Sequence, residues 1–171
     1  MAEPYRKKPG YTELIHQAGV SKADERLRVI GTIDEANASL GLAKAFLANP
    51  LKKQLLSSCQ ETLSLIMAVI AGWENKNTPK ELDSALNNLE QELAQLKSDY
   101  PLPVKFILPG ETPASAALDL ARTVVRRAER EAAGLAQNGG KVSETILTYL
   151  NRLSSLCFSL EISELSGPKV G

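Results

Sequence analysis

Apolar residues recur at three- and four-residue intervals through five long stretches of the chain, and no stretch shows convincing two-residue alternation. That rhythm predicts helices and no sheet. The first stretch runs from about Asp24 to Ala48, with Ile33, Ala36, Leu40, Ala43 and Leu47 on one stripe, and stops before Asn49-Pro50. The second, about Leu51 to Trp73, places Leu55, Cys59, Thr62, Ile66, Val69 and Trp73 in line and ends at the polar run Glu74 to Asn77. The third opens with Thr78 as N-cap, Pro79 at the first helical position and Glu81 completing a capping box; Leu82, Leu86, Leu89, Leu93 and Leu96 follow. A proline-rich loop, Ser98 to Glu111, holds the short apolar piece Val104-Lys105-Phe106-Ile107-Leu108. The fourth helix runs from Thr112-Pro113 to about Gln137 on Leu118, Ala121, Val125, Ala128, Ala132 and Leu135, and Asn138-Gly139-Gly140 stops it. The fifth runs from Ser143 to about Leu165 with Ile146, Leu150, Leu153, Cys157 and Leu160 inward. The expected fold is an all-α, up-and-down bundle of five helices over residues 24–166, preceded by an N-terminal segment, 1–23.

Length and charge narrow the function. The 171 residues suit one domain, and 20 basic residues balance 20 acidic ones. Binding to nucleic acid or a membrane surface by bulk charge is therefore not expected. No apolar run nears the roughly 18 residues of a membrane span, and the first residues lack the apolar core of a secretory signal. Cys59 and Cys157 read as reduced core residues of a cytoplasmic protein. A single histidine, His16, and the absence of a Cys-x-x-Cys pair leave no zinc site. No Ser-His-Asp set, cysteine–histidine pair or GxxxxGK[ST] loop is present.

The chemistry-bearing pattern is Arg122-Thr123-Val124-Val125-Arg126-Arg127-Ala128-Glu129-Arg130. Arg122, Arg126 and Arg130 fall one helical turn apart and form a stripe beside the apolar seam. Like charges at this spacing repel unless an anion or carboxylates neutralise them. Guanidinium forks suit phosphate oxygens, so the stripe is either a polyphosphate or acidic-partner site, or a solvated face paired with Asp119, Glu129 and Glu131. Asp34, Asn37 and Gly41 share a face of the first helix. Asn151-Arg152-Leu153-Ser154-Ser155 sets polar residues into the apolar pattern of the fifth, where they bond a neighbouring helix or a ligand.

Together these segments resemble the PduO-type ATP:cob(I)alamin adenosyltransferases. The matching pieces are Val20-Ser21-Lys22, Gly31 to Gly41 (GTIDEANASLG), Lys105-Phe106-Ile107-Leu108-Pro109-Gly110, the arginine block and Asn151-Arg152-Leu153-Ser154, in that order, spanning about Gly10 to Leu160. The resemblance implies a homotrimer with ATP and a reduced corrinoid in clefts between subunits. It implies transfer of the 5′-deoxyadenosyl group of ATP to cobalt(I), with release of triphosphate and with Mg2+ alongside. The protein partner it implies is a corrinoid reductase or an adenosylcobalamin-dependent enzyme, with no nucleic acid and no membrane. By the same resemblance Phe106 walls the corrin face, Arg126 serves both catalysis and ATP binding, and Asp34 pairs with Arg122 across a subunit interface. Gly10, Thr12, Lys22, Glu129, Arg130 and Asn151 complete the ATP site, and no residue is implied as a metal ligand. The family's N-terminal loop reads roughly Thr-Arg/Lys-Thr-Gly-Asp-x-Gly-x-Thr. Here Pro4 to Thr12 keeps only Gly10 and Thr12, with Lys8 at the aspartate position and Lys7 at the glycine before it. Ser155 stands where the family commonly has aspartate. A corrinoid- or nucleotide-binding regulatory protein on the same fold, and a helical interaction module without nucleotide affinity, stay beside the transferase as readings of these residues.

Overall fold

The computed structural model describes residues 8–101, 103 and 107–166. Five helices dominate: α1 (Glu25–Phe46), α2 (Pro50–Ile70), α3 (Thr78–Asp99), α4 (Pro113–Gln137) and α5 (Glu144–Leu165). Before them lies a small antiparallel hairpin of β1 (Tyr11–Leu14) and β2 (Gln17–Ser21).

The helices pack in the order α2–α1–α4–α5–α3 around a shared core. α4 holds the middle because its inward positions are small. Ala114, Ala117, Ala121, Ala128 and Ala132 are buried there, and α1, which packs on it, buries Ala36 and Ala43. Side chains this small let helix axes approach closely, while Leu118, Val125, Leu150 and Leu153 fill the remaining volume. Gly41 belongs to the same logic. A β-carbon there would lie 3.2 Å from Gln60 Nε2 on α2, which itself donates to the Asn37 carbonyl at 3.0 Å. The glycine is a packing device between α1 and α2.

Caps mark the helix ends. Asp24 accepts from the Arg26 amide at 2.9 Å, Asn49 from Leu51 at 2.8 Å and Ser143 from Ile146 at 3.3 Å. Past α4, Gly139 takes φ 82°, which only glycine adopts without strain, and Gly140 N–H returns to the Leu135 carbonyl at 2.8 Å.

Three details depart from the sequence reading. Residues 11–21, expected to carry no strand, form the hairpin. Their alternation is weak because only Val20 is buried, and a register shift between Thr12 and Leu14 breaks it further. The second helix ends at Ile70, so Trp73 lies beyond it and is partly exposed. The capping box expected at Thr78 and Glu81 does not form. Thr78 is buried and its hydroxyl accepts from the Asn75 amide at 3.0 Å, bracing the preceding turn.

The reciprocal box is at α4 instead. Thr112 accepts from the Ser115 amide at 3.0 Å, and the Ser115 hydroxyl accepts from the Thr112 amide at 3.0 Å. Thr112→Ala is expected to cost about 1 kcal/mol, lowering the thermal midpoint by roughly 2–4 °C. Calorimetry checks this, and an unchanged midpoint would remove the cap from the account.

Candidate active site between α3, α4 and α5

A cavity of about 390 Å³ lies where the end of α3, the first half of α4 and the second half of α5 meet. Pro103, Ile107 and Pro109 of the α3–α4 connection line one side. Phe106, the aromatic singled out from the sequence, lies outside the described residues. From α4 come Asp119, Arg122 and Arg126, and from α5 Ser154, Ser155, Phe158, Ser159 and Glu161.

The arginine stripe divides into two kinds of side chain. Arg122 is half-buried and engaged: its Nε donates to Asp119 Oδ1 at 2.8 Å and its guanidinium closes the ion pair at 2.7 Å. Arg126 and Arg130 are exposed and make no hydrogen bond or ion pair among the described residues. Of the carboxylates expected to quench the stripe, Asp119 serves Arg122 and the other two meet other partners. Glu131 pairs with Arg28 at 2.8 Å, and Glu129 accepts from Asn151 Nδ2 at 2.9 Å. Arg127, on another side of α4, pairs with Glu35 of α1. Arg126, which lines the cavity, and Arg130, one turn further along α4, are therefore left without a direct partner among the described residues.

The hydrogen bond between Glu129 and Asn151 joins α4 to α5 and brings two predicted ATP residues together. The hairpin brings together three more. Gly10 stands opposite Lys22, whose amide donates to its carbonyl at 2.8 Å, and Thr12 pairs with Val20. The hairpin is tied to α1 by Arg26, which bonds Asp24 at 2.8 Å and Gln17 Oε1 at 2.9 Å. This salt-bridged partner holds the Asp24 carboxyl below its ordinary range. Asp34 is exposed on α1 and does not meet Arg122 within the chain.

Neither cysteine is poised as a nucleophile. Burial pushes the Cys59 thiol up to about 12 and the Cys157 thiol higher still, so neither forms thiolate near neutrality. Among the described residues no group of three or more His, Cys, Asp or Glu converges as a metal site, and no helix is long and apolar enough to cross a membrane.

Glu161 escaped the sequence reading. It is 2% exposed, and its Oε2 has no hydrogen-bond partner. Burial, reinforced by the charge of Asp119 and partly offset by Arg122, pushes its carboxyl up to about 7. The signal was available: Glu161 follows Cys157 by four residues, on the inward stripe of α5.

Residues 5–164 match the model of the family described as cobalamin adenosyltransferase. The corrinoid adenosyltransferase PduO of Citrobacter freundii is 33% identical over 158 residues, covering 91% of this chain and 47% of the relative. This chain thus spans about half the length of that PduO protein and of its Salmonella typhimurium counterpart. The corrinoid adenosyltransferase of Mycobacterium leprae is 36% identical over 161 residues, covering 88% of this chain and 84% of the relative. Among solved structures, a phenylalanine-to-histidine variant of the Lactobacillus reuteri PduO-type ATP:corrinoid adenosyltransferase, complexed with cobalamin and ATP, superposes with a TM-score of 0.77. It is 27% identical, over 89% of this chain and 84% of that one. An arginine-to-lysine variant of the same enzyme, complexed with ATP, gives 0.77 at 26% identity, over 91% and 89%.

Proposed function

Because the chain belongs to the cobalamin adenosyltransferase family, we propose that it transfers the 5′-deoxyadenosyl group of ATP to the cobalt(I) of a reduced corrinoid. Cobalt(I) is itself the nucleophile. It attacks C5′ of ATP, the cobalt–carbon bond forms, the C5′–O bond breaks, and triphosphate leaves with the electron pair. The protein needs no nucleophile of its own. It has to neutralise charge that grows on the leaving group and keep water from the reacting face.

The observation that carries this reading is Arg126, charged, beside the α3–α4–α5 cavity and without a partner among the described residues. With Arg130 it offers the phosphates two forks one turn apart. Glu129 and Asn151, already bonded to each other, orient the nucleoside end, and Gly10, Thr12 and Lys22 of the hairpin close over the phosphates. Phe106 is assigned to the corrin face on the resemblance alone. The described residues form no carboxylate cage for Mg2+, so the cation is assigned to ATP as its counter-ion, with no step routed through it.

A second copy of the chain belongs to the working site. Leu42, Phe46 and Leu120 are 46%, 52% and 49% exposed. Glu35 meets Arg127 and Glu25 meets Asn138 across antiparallel α1 and α4. Leu42 and Leu120 each lie seven residues beyond the Glu35–Arg127 contact, so they share one outer seam. Such a patch is an association surface, and a homotrimer built on it is the assembly in which Asp34 of one copy reaches Arg122 of the next. Buried, unpaired thiols at Cys59 and Cys157 suit a reducing cytoplasm. A corrinoid reductase would supply the cobalt(I) state, and an adenosylcobalamin-dependent enzyme would consume the product.

Mixing the protein anaerobically with ATP, magnesium and chemically reduced cob(I)alamin is expected to give the light-sensitive adenosylcobalamin spectrum, dependent on both protein and ATP. Corrinoid binding without conversion would overturn the transferase in favour of a binding protein. Failure to bind either substrate would overturn both.

A further inference from the structure

The packing order α2–α1–α4–α5–α3 leaves its two end helices unjoined. Although α2 and α3 follow one another in the chain, a groove of about 820 Å³ runs between them, with Tyr149 and Leu160 of α5 buried at its base. Its walls are apolar low down. Leu55 and Leu65 of α2 and Ala85 and Leu96 of α3 line it and are only partly buried against the core. From Glu81 to Asp99 the α3 wall extends over about 27 Å, at 1.5 Å per residue. The groove shares no lining residue with the α3–α4–α5 cavity.

The rim is acidic. Glu61, Glu81, Glu92 and Asp99 line it against one cation, Lys52. Lys52 is already committed: its Nζ pairs with Glu164 of α5 at 2.7 Å and lies 5.7 Å from the centre of the Tyr100 ring. Asp99 accepts from Gln95 Nε2 at 2.9 Å and keeps its charge. The carboxylates of Glu61, Glu81 and Glu92 make no hydrogen bond or ion pair among the described residues. Such a rim repels nucleotides, free phosphate and anionic lipid. The carboxylates do not converge on one point, so a single metal ion does not answer them. What answers them is positive charge spread along an apolar body. An extended peptide would hold its backbone amides over an apolar floor, where two helices with their own backbone groups already paired offer no partners. A helix satisfies its own backbone and packs between two others at ordinary helix spacing. The basic stretch Arg122 to Arg130 of a second copy cannot serve, because the apolar face of α4 is already buried in its own bundle.

We propose that the groove between α2 and α3 docks a basic amphipathic helix of about five turns from another protein. The apolar face of that helix lies on Leu55, Leu65, Ala85 and Leu96, and its lysines or arginines meet Glu61, Glu81, Glu92 and Asp99. The interface holds whether or not the chain transfers adenosyl groups.

The test titrates the full chain against two fluorescein-labelled peptides of about 18 residues, each with leucine along one helical face. One carries lysine at the remaining positions and the other glutamate. Fluorescence anisotropy is expected to show the lysine peptide bound at least about tenfold more tightly than the glutamate peptide, with affinity falling as salt is added. Combining Glu61→Lys with Glu92→Lys is expected to weaken lysine-peptide binding by about tenfold or more at an unchanged thermal midpoint. Hydrogen exchange gives a reading that needs no variant: bound lysine peptide is expected to slow exchange in α2 and α3 and not in α4. No binding, equal binding of the two peptides, undiminished binding by the double variant, or protection confined to other helices would overturn the proposal. A wild-type assembly whose mass falls in the double variant would give the groove to a second copy and overturn the partner helix.

Discussion

Arg126→Ala is expected to slow adenosyl transfer by roughly 10²–10³-fold and to weaken ATP binding, while moving the thermal midpoint by less than about 2 °C. The separation follows from where the charge sits. Arg126 is exposed and bonds nothing else among the described residues, so the folded state loses no internal contact with it. A phosphate ligand loses a charge-assisted hydrogen bond worth about 1.5–3 kcal/mol, and the departing triphosphate loses more as its charge grows. Arg127 is the control. It pairs with Glu35 on an exposed seam, and an ion pair of that kind contributes at most about 1 kcal/mol. Arg127→Ala, checked to have the same oligomeric mass as wild type, should leave ATP affinity within about twofold of wild type. Isothermal titration with ATP, paired with the corrinoid assay, reads both variants. An Arg126→Ala protein that binds ATP normally but melts early would place that arginine in the scaffold.

The second large effect is on stability. Glu161 has its carboxyl pushed up to about 7 from an ordinary 4.5, first by burial and then by Asp119. Between those two values the folded chain holds a proton that the unfolded chain has lost. Stability therefore falls as pH rises through that window, and the full penalty is present above it. A shift of this size corresponds to roughly 3 kcal/mol. Glutamine mimics the neutral acid and carries no such penalty. Glu161→Gln should raise the thermal midpoint at pH 8 by about 5–10 °C and change it little at pH 4.5. Melting curves across that range decide it. A constant offset between the two proteins at every pH would mean that the carboxyl titrates normally.

Helix patterning was legible because each of the five long stretches keeps its inward residues on one face for several turns, as Leu118 to Leu135 does on α4. The hairpin was not, because a short strand with one buried residue leaves almost no periodic trace. The predicted cap at Thr78 failed for a related reason. A threonine before proline satisfies a capping pattern locally, but burial turned its hydroxyl toward Asn75. At the site, the arginine spacing located the stripe, yet it could not separate Arg122, held by Asp119, from Arg126. Which carboxylate reaches which guanidinium depends on helix rotation and on competitors such as Arg28, about a hundred residues from Glu131 in sequence. Asp34 and Arg122 show the same limit: the sequence singles out both, and within the chain they do not meet. Glu161 was passed over because one acid in an apolar run reads as a tolerated exception, and only its lack of a partner gives it meaning.

The packing order α2–α1–α4–α5–α3 has a consequence for how the site comes into being. The seam that frames the arginine stripe joins Glu35 to Arg127 and Arg28 to Glu131. Neither pair can form until α2, α3 and their connections have been looped out, which is a large closure entropy to meet at once. Consecutive helices cannot assemble it hairpin by hairpin. A nascent or partly unfolded chain therefore presents scattered arginines without the framed stripe, and on the proposed function a nucleotide bound there would hold the long loop shut. On that reading ligand and fold stabilise one another, and an incompletely folded copy would have nothing with which to sequester ATP.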